Sequence, residues 1–224
     1  MSWISEQITL IGHILTSLLP AVPITVAVVS LAYPLALAGG LVVAGMRRSK
    51  RKFVSLPAQW YADVLRGVPL LVQIFFIYFG LGKVLNLDRF VAGVLAIALC
   101  YSAYMSEIFR AAIAAIPKGQ HEAALSVGMT RWQVYRHVIL PQAFRIALPP
   151  MANEFTACLK DTSLVSIIGL RELTRATREY YSTYFVDFQT WLVAGIIYLI
   201  LNAVATRTAG WVERRLSVPG LGGD

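Results

Sequence analysis

Two carboxylates, Glu154 and Asp161, stand seven residues apart in a stretch that is otherwise largely apolar and also carries Lys160. At about 100° per residue on a helix they fall within about 20° of one face, one above the other at about 10 Å, while Lys160 lies about 100° round from Asp161. Stacked acids with Asn153, Thr162 and Ser163 beside them make a seat for a cation or an ammonium group. The competing reading is structural: Glu154 paired with Arg145 or another buried base, and Asp161 with Lys160 of a second subunit. Little else in the chain is arranged for chemistry. His13, His121 and His137 have no metal-ligand spacing, and Cys100 and Cys158 are isolated in apolar stretches, so neither a zinc site nor a disulfide framework is expected. No GxxxxGK[ST] occurs, so this chain is not expected to cradle nucleotide phosphates, and no catalytic residues are assigned.

The elements that must position these acids follow from composition. The 224 residues are 57% hydrophobic and only 14% charged, where a soluble domain has about a quarter charged; mean hydropathy is +0.64. An all-α membrane protein is implied, with room for five or six spans of about 20 residues. The prolines at 20 and 23 divide the first apolar run into an external, interfacial helix within 1–21 and a first span at 22–46, stopped by the basic run Arg47, Arg48, Lys50, Arg51, Lys52. Further spans are expected at about 67–82, 90–106, 146–168 and 188–206. Residues 214–224 read as a flexible tail. No basic region precedes the first apolar stretch, so a cleaved signal peptide is not expected.

Five spans place the termini on opposite sides. With the Arg47 loop in the cytoplasm, 14 Lys/Arg lie inside and 5 outside, which puts the N-terminus outside and the C-terminus in the cytoplasm. The net charge of +8 is thereby explained by topology rather than by nucleic acid. Gln73, in the second span, suits an interhelical hydrogen bond better than a pathway role. Glu107 has Arg110 at i+3 and reads as a local ion pair. Tyr180, Tyr181, Tyr184, Phe185, Phe188 and Trp191 read as an aromatic belt at the membrane surface.

Residues 110–145 form a long cytoplasmic connection that is still apolar at helical spacing. Two short helices are expected, with Gly128 at the sharp turn between them and Pro141 limiting the second. An aromatic residue left exposed on such a hairpin calls for a protein partner, unless the hairpin packs back on its own spans. Glu122-Ala123-Ala124, then Gly128, then Val138-x-Leu140-Pro141 resembles the EAA loop of ABC importer permeases, with Val138 where that family shows Ile. Segments 61–81, 102–120, 140–150 and 159–173 resemble the polar and hydrophobic amino acid uptake branch. Pro23 and Pro34 depart from its first span.

That resemblance implies the type I ABC importer permease fold over 22–213, in the bacterial inner membrane. It implies that Glu122, Ala123, Ala124, Gly128, Leu140 and Pro141 couple to a separate ATPase subunit, present in two copies, which holds the ATP and Mg while this chain holds no cofactor. It further implies a second permease chain, identical or homologous, and an extracytoplasmic substrate-binding protein received by Arg171, Arg175 and Arg178. By themselves these arginines, interleaved with Glu172 and Glu179, read as a solvated helix face. Lys160-Asp161-Thr162-Ser163-Leu164 resembles a pattern shared by permeases of differing specificity, so Asp161 suits the common α-amino group and Glu154 is the candidate discriminator. The cargo is then a basic amino acid if Glu154 faces the pathway, and a polar neutral one is as well accommodated if it does not. The alternatives are an ion-coupled secondary amino acid transporter using Glu154 and Asp161, disfavoured by the short chain without a visible inverted repeat, and an ion channel, disfavoured by the lack of a filter-like segment.

Overall fold

In the computed structural model, which describes residues 2–216, prolines set the breaks between helices less often than their positions suggest. Helix α1 (Ser2–Leu18) passes through a 3-10 turn, Leu19–Ala21, into α2 (Val22–Arg47). Pro20 and Pro23 occupy first-turn positions, where a helix has no amide partner to lose, and Pro34 lies within α2 without ending it. The run Ser5–Arg47 therefore counts as one apolar helix of 43 residues, about 65 Å long and more than a bilayer with its headgroups spans. The division expected at residues 21 and 22 falls where the 3-10 turn gives way to α2, a change of helix type within a continuous helical run. Ile14 and Leu18 are fully buried in a cluster with Leu173, Tyr180 and Ile197, so α1 is docked on protein.

An elbow separates α3 from the helical segments that follow it. Helix α3 (Lys52–Gly67) ends at Val68, which takes an extended conformation (φ −98°, ψ 131°) as a residue before proline must. After Pro69 the chain resumes as α4 (Leu70–Phe75), a π-helical turn (Phe76–Leu81) and α5 (Gly82–Leu85). The two halves meet at 109°. The elbow leaves carbonyls at the end of α3 without helical partners. Buried Gln73 supplies them, its amide donating to the carbonyls of Leu65 at 2.8 Å and Val68 at 2.9 Å.

Helix α6 (Arg89–Ala114) is the axis of the bundle. In its most apolar stretch 67% of residues are buried, against 33% for Ser5–Arg47 and 28% for Phe188–Trp211. Small residues make this possible, as expected where membrane helices pack without a hydrophobic drive between them. A side chain at Gly40 of α2 would collide with Met105 of α6, and one at Gly39 would come within 3.1 Å of Ser102. Beyond α6 lie α7 (Lys118–Ser126), α8 (Arg131–Val134), a π-helical turn (Tyr135–Ile139) and α9 (Leu140–Asp161). A 3-10 segment (Thr162–Ile168) ends at Gly169 (φ 84°), followed by α10 (Leu173–Tyr184) and α11 (Phe188–Leu216). Residues 214–216, read from sequence as the start of the tail, continue α11; residues 217–224 lie outside the described residues.

Among the described residues three helices are long and apolar enough to cross a membrane, or four if the elbowed pair is one span. Helix α9 is not among them, because Arg145, Glu154, Lys160 and Asp161 and its internal prolines Pro149 and Pro150 dilute its hydropathy.

Candidate functional site

The elbow, α6 and α9 line an open cleft of about 530 Å³, within the range of small-molecule sites. Its walls are residues 66–70 of the elbow, Cys100, Tyr101 and Tyr104 of α6, and Glu154, Ala157 and Asp161 of α9. Seven residues of helix bring the two acids into the same space, as their spacing requires. The Tyr101 hydroxyl donates to Asp161 Oδ2 at 2.8 Å. Glu154 makes no hydrogen bond or ion pair with the other described residues, and the pairing with Arg145 that the structural reading invoked is not formed. The polar neighbours do not join them. Thr162 is fully buried with its hydroxyl donated to the Leu159 carbonyl at 2.7 Å, Asn153 is exposed and half-buried Ser163 is also outside the lining.

A second polar cluster adjoins this one at the C-terminal end of α6. Glu107 accepts from Arg47 of α2 at 2.9 Å, pairs with Arg66 of α3 at 3.2 Å, and is held by both Nε and Nη2 of Arg110. The i+3 pair expected from sequence is present, but it is one of three. Arg47 is the deepest of the three, its side chain 8% exposed against 33% for Arg66 and 45% for Arg110. With Gln59 and Asp63 these residues line a cavity of about 340 Å³, so Arg66 stands in the walls of both cavities.

The 118–139 hairpin has the turn its glycine predicts. Gly128 takes φ 84°, with its amide bonded to the Leu125 carbonyl and the Met129 amide to the Ala124 carbonyl, a Schellman termination of α7. Thr130 and Gln133 then form a capping box that starts α8. Ala124 is buried and Glu122 and Ala123 are exposed. Val127 is 79% and Trp132 65% exposed at the tip, so the apolar tip is not packed back on the spans. Pro141 does not limit the second arm: it occupies the first turn of α9, and the arm runs on through the π-helical turn into α9 beside Leu140. Sequence reading missed the strap at the hairpin's root, where Arg48 donates to the Tyr135 hydroxyl at 2.6 Å and lies over its ring.

On the opposite side, Glu172 is not part of a solvated face. It is fully buried as the N-cap of α10, accepting from the amides of Thr174 and Arg175 and from the Tyr198 hydroxyl at 3.0 Å. Arg171 and Arg175 both bind Glu179, at 2.7 and 3.0 Å. Burial acts to raise the Glu179 carboxyl, but the two arginines outweigh it and hold it below the usual carboxylate range. Arg178 is exposed and takes no part in this network. Of the expected aromatic belt, Tyr180 is buried, while Tyr184, Phe185 and Phe188 stand out at 61–82% exposure.

Residues 36–218 match the family described as the inner membrane component of binding-protein-dependent transport systems. The chain belongs to this family. It is 39% identical to the glutamine transport system permease protein GlnP of Escherichia coli over 191 residues, 82% of this chain and 87% of the relative. It is 37% identical to the histidine/lysine/arginine/ornithine transport system permease protein HisQ of Escherichia coli, again over 191 residues, 80% of this chain and 84% of the relative. Among solved structures, an amino acid ABC transporter determined with histidines matches at a TM-score of 0.86 and 36% identity over 93% of this chain and 97% of its own. As an ABC permease of the inner membrane, the chain is not an ion-coupled secondary carrier.

Proposed function

We propose that this chain is the membrane subunit of an ATP-driven importer of a basic or polar L-amino acid, and that the cavity between the elbow, α6 and α9 holds the cargo in passage. The observation that carries this is the pair of carboxylates that share the cavity without a cationic partner. An acid within a span costs about 2.5–3.5 kcal/mol to insert and marks a substrate path unless it is paired. Asp161, oriented by Tyr101, is matched to the α-ammonium group common to all amino acids. Glu154, free of partners, is matched to a cationic side chain. GlnP and HisQ serve glutamine and the basic amino acids respectively, so kinship leaves both cargo classes open and Glu154 favours the basic one.

The remaining parts follow from the same reading. Five spans, with the elbowed pair and α9 each counted as one, place the N-terminus outside and the C-terminus in the cytoplasm. The exposed tip of the 118–139 hairpin, with Val127 and Trp132, is an apolar surface for the ATPase subunit, which carries the ATP and Mg; the Ala124 and Gly128 geometry fixes its angle and the Arg48–Tyr135 strap ties it to α2. Two ATPase copies and a second permease, identical or homologous, complete the complex. Arg178, with Arg171 and Arg175, faces the binding protein. Substrate arrives from outside, ATP binding opens the cavity outward, and hydrolysis returns it inward.

Uptake of labelled arginine, histidine and glutamine by proteoliposomes holding the whole complex tests this. Wild-type uptake must require ATP and the binding protein, and Glu154→Gln should lower arginine and histidine uptake about tenfold while sparing glutamine. Uptake without ATP would overturn the importer reading, and unchanged selectivity in the variant would remove Glu154 from the pathway.

A further inference from the structure

The substrate reading above accounts for both acids in the cavity and leaves its one cation unexplained. Among the described residues Arg66 is the only Lys or Arg in the lining. It stands at the end of α3, immediately before the elbow, with its side chain one third exposed. A guanidinium offers five N–H donors in a planar fork, and the contact Arg66 makes here is an ion pair with Glu107 at 3.2 Å. That contact is the loosest of Glu107's three, and Glu107 keeps Arg47 at 2.9 Å and the double bond from Arg110 without it. Three arginines against one glutamate leave surplus positive charge at this end of the cavity, and Asp63 in the adjoining cavity offsets only part of it.

We propose that Arg66 is the carboxylate anchor of the cargo site. Every amino acid carries an α-carboxylate whatever its side chain, and the described lining of the cavity carries one cation with donors to spare. The carboxylate lies against the Arg66 fork, the ammonium group against Asp161 and Tyr101, and the side chain toward Glu154. This assignment rests on the amino acid importer reading and adds to it a fixed orientation. It also makes the Arg66–Glu107 pair a contact with which the cargo competes, so that an occupied cavity loosens one of the ties joining α3 to α6. Arg66 thereby reads what all amino acids share, and Glu154 reads what distinguishes them.

The test compares ligands with and without the carboxylate. The permease–ATPase complex in nanodiscs, without binding protein, is titrated with labelled arginine and histidine and with agmatine and histamine, their decarboxylated counterparts. Wild type should bind the amino acids at least tenfold more tightly than the amines, the scale of one charge-assisted hydrogen bond. Arg66→Gln should weaken the amino acids about tenfold or more and leave the amines unchanged. Arg66→Lys, which keeps the charge and the assembly but loses the fork, should fall between. Equal weakening of both ligand sets in the two variants, or no weakening in either, overturns the anchor and leaves the importer reading standing. Failure of the wild-type complex to bind any of the amino acids overturns both.

Discussion

Glu107 and Glu154 are both glutamates in apolar helices, and the protein treats them in opposite ways. Glu107 is held by three arginines from three helices, α2, α3 and α6 itself. Glu154 touches none. A charge surrounded by its own counter-charges has its desolvation offset inside the fold and serves as a joint. A charge left without one keeps its free energy available for a partner that arrives from outside. The two clusters lie next to each other, with Arg66 in the walls of both, so the joint and the site share a wall.

The sharpest way to break this contrast is at the joint. Glu107→Ala leaves Arg47, with only 8% of its side chain exposed, without its carboxylate; the loss should approach about 3 kcal/mol and appear as a marked fall in the melting temperature of the purified complex. If the complex melts as before, Glu107 is not a joint. Next in size is Asp161→Asn, which keeps a hydrogen-bond acceptor for Tyr101 but removes the charge. Uptake of every amino acid should drop at least tenfold with melting nearly unchanged. Tyr101→Phe removes one neutral donor to a charged acceptor, worth about 1.5–3 kcal/mol at most, and a several-fold drop across all cargoes is expected; a drop confined to one cargo would assign Tyr101 to side-chain recognition instead.

The smallest effect is expected on α10. Arg171 and Arg175 hold Glu179 at half-exposed positions, where such pairs contribute about 0–1 kcal/mol. The depressed Glu179 carboxyl contributes stability at pH above its unfolded value, and that contribution is lost as pH falls through the lowered folded value. Glu179→Gln should therefore melt within a degree or two of wild type at neutral pH and should not sharpen any acid transition. A larger loss would make α10 a second joint.

The sequence carried the contrast only in part, for physical reasons that differ by residue. Glu154 and Asp161 belong to one helix, so their shared face follows from 3.6-residue periodicity alone, and Gly128 announces its left-handed turn because few other residues tolerate it. The partners of Glu107 come from α2 and α3, 60 and 41 positions away in the chain, and only the packing of α2 and α3 on α6 brings them together. Glu172 sits among Arg171, Arg175 and Glu179 at helical spacing and reads as solvent-facing; its burial is decided by Tyr198 on α11. The elbow at Val68-Pro69 was not anticipated, and Gln73 reaches back across it to the open carbonyls of residues that precede the bend. Pro141 misled in the other direction, since a first-turn proline starts a helix as readily as one ends before it.

The most direct test of joint against site is one preparation read two ways. Labelled arginine binding and thermal melting are measured on the same nanodisc-held complex for wild type, Glu154→Gln and Glu107→Gln. The contrast predicts that Glu154→Gln loses about tenfold in binding with melting unmoved, whereas Glu107→Gln lowers the melting temperature and the surviving folded fraction binds arginine at least as tightly as wild type does, since Arg66 is released for the cargo. Retained binding in Glu154→Gln, together with a melting loss in that variant, would contradict it, because Glu154 would then be a joint whose partner lies in another subunit.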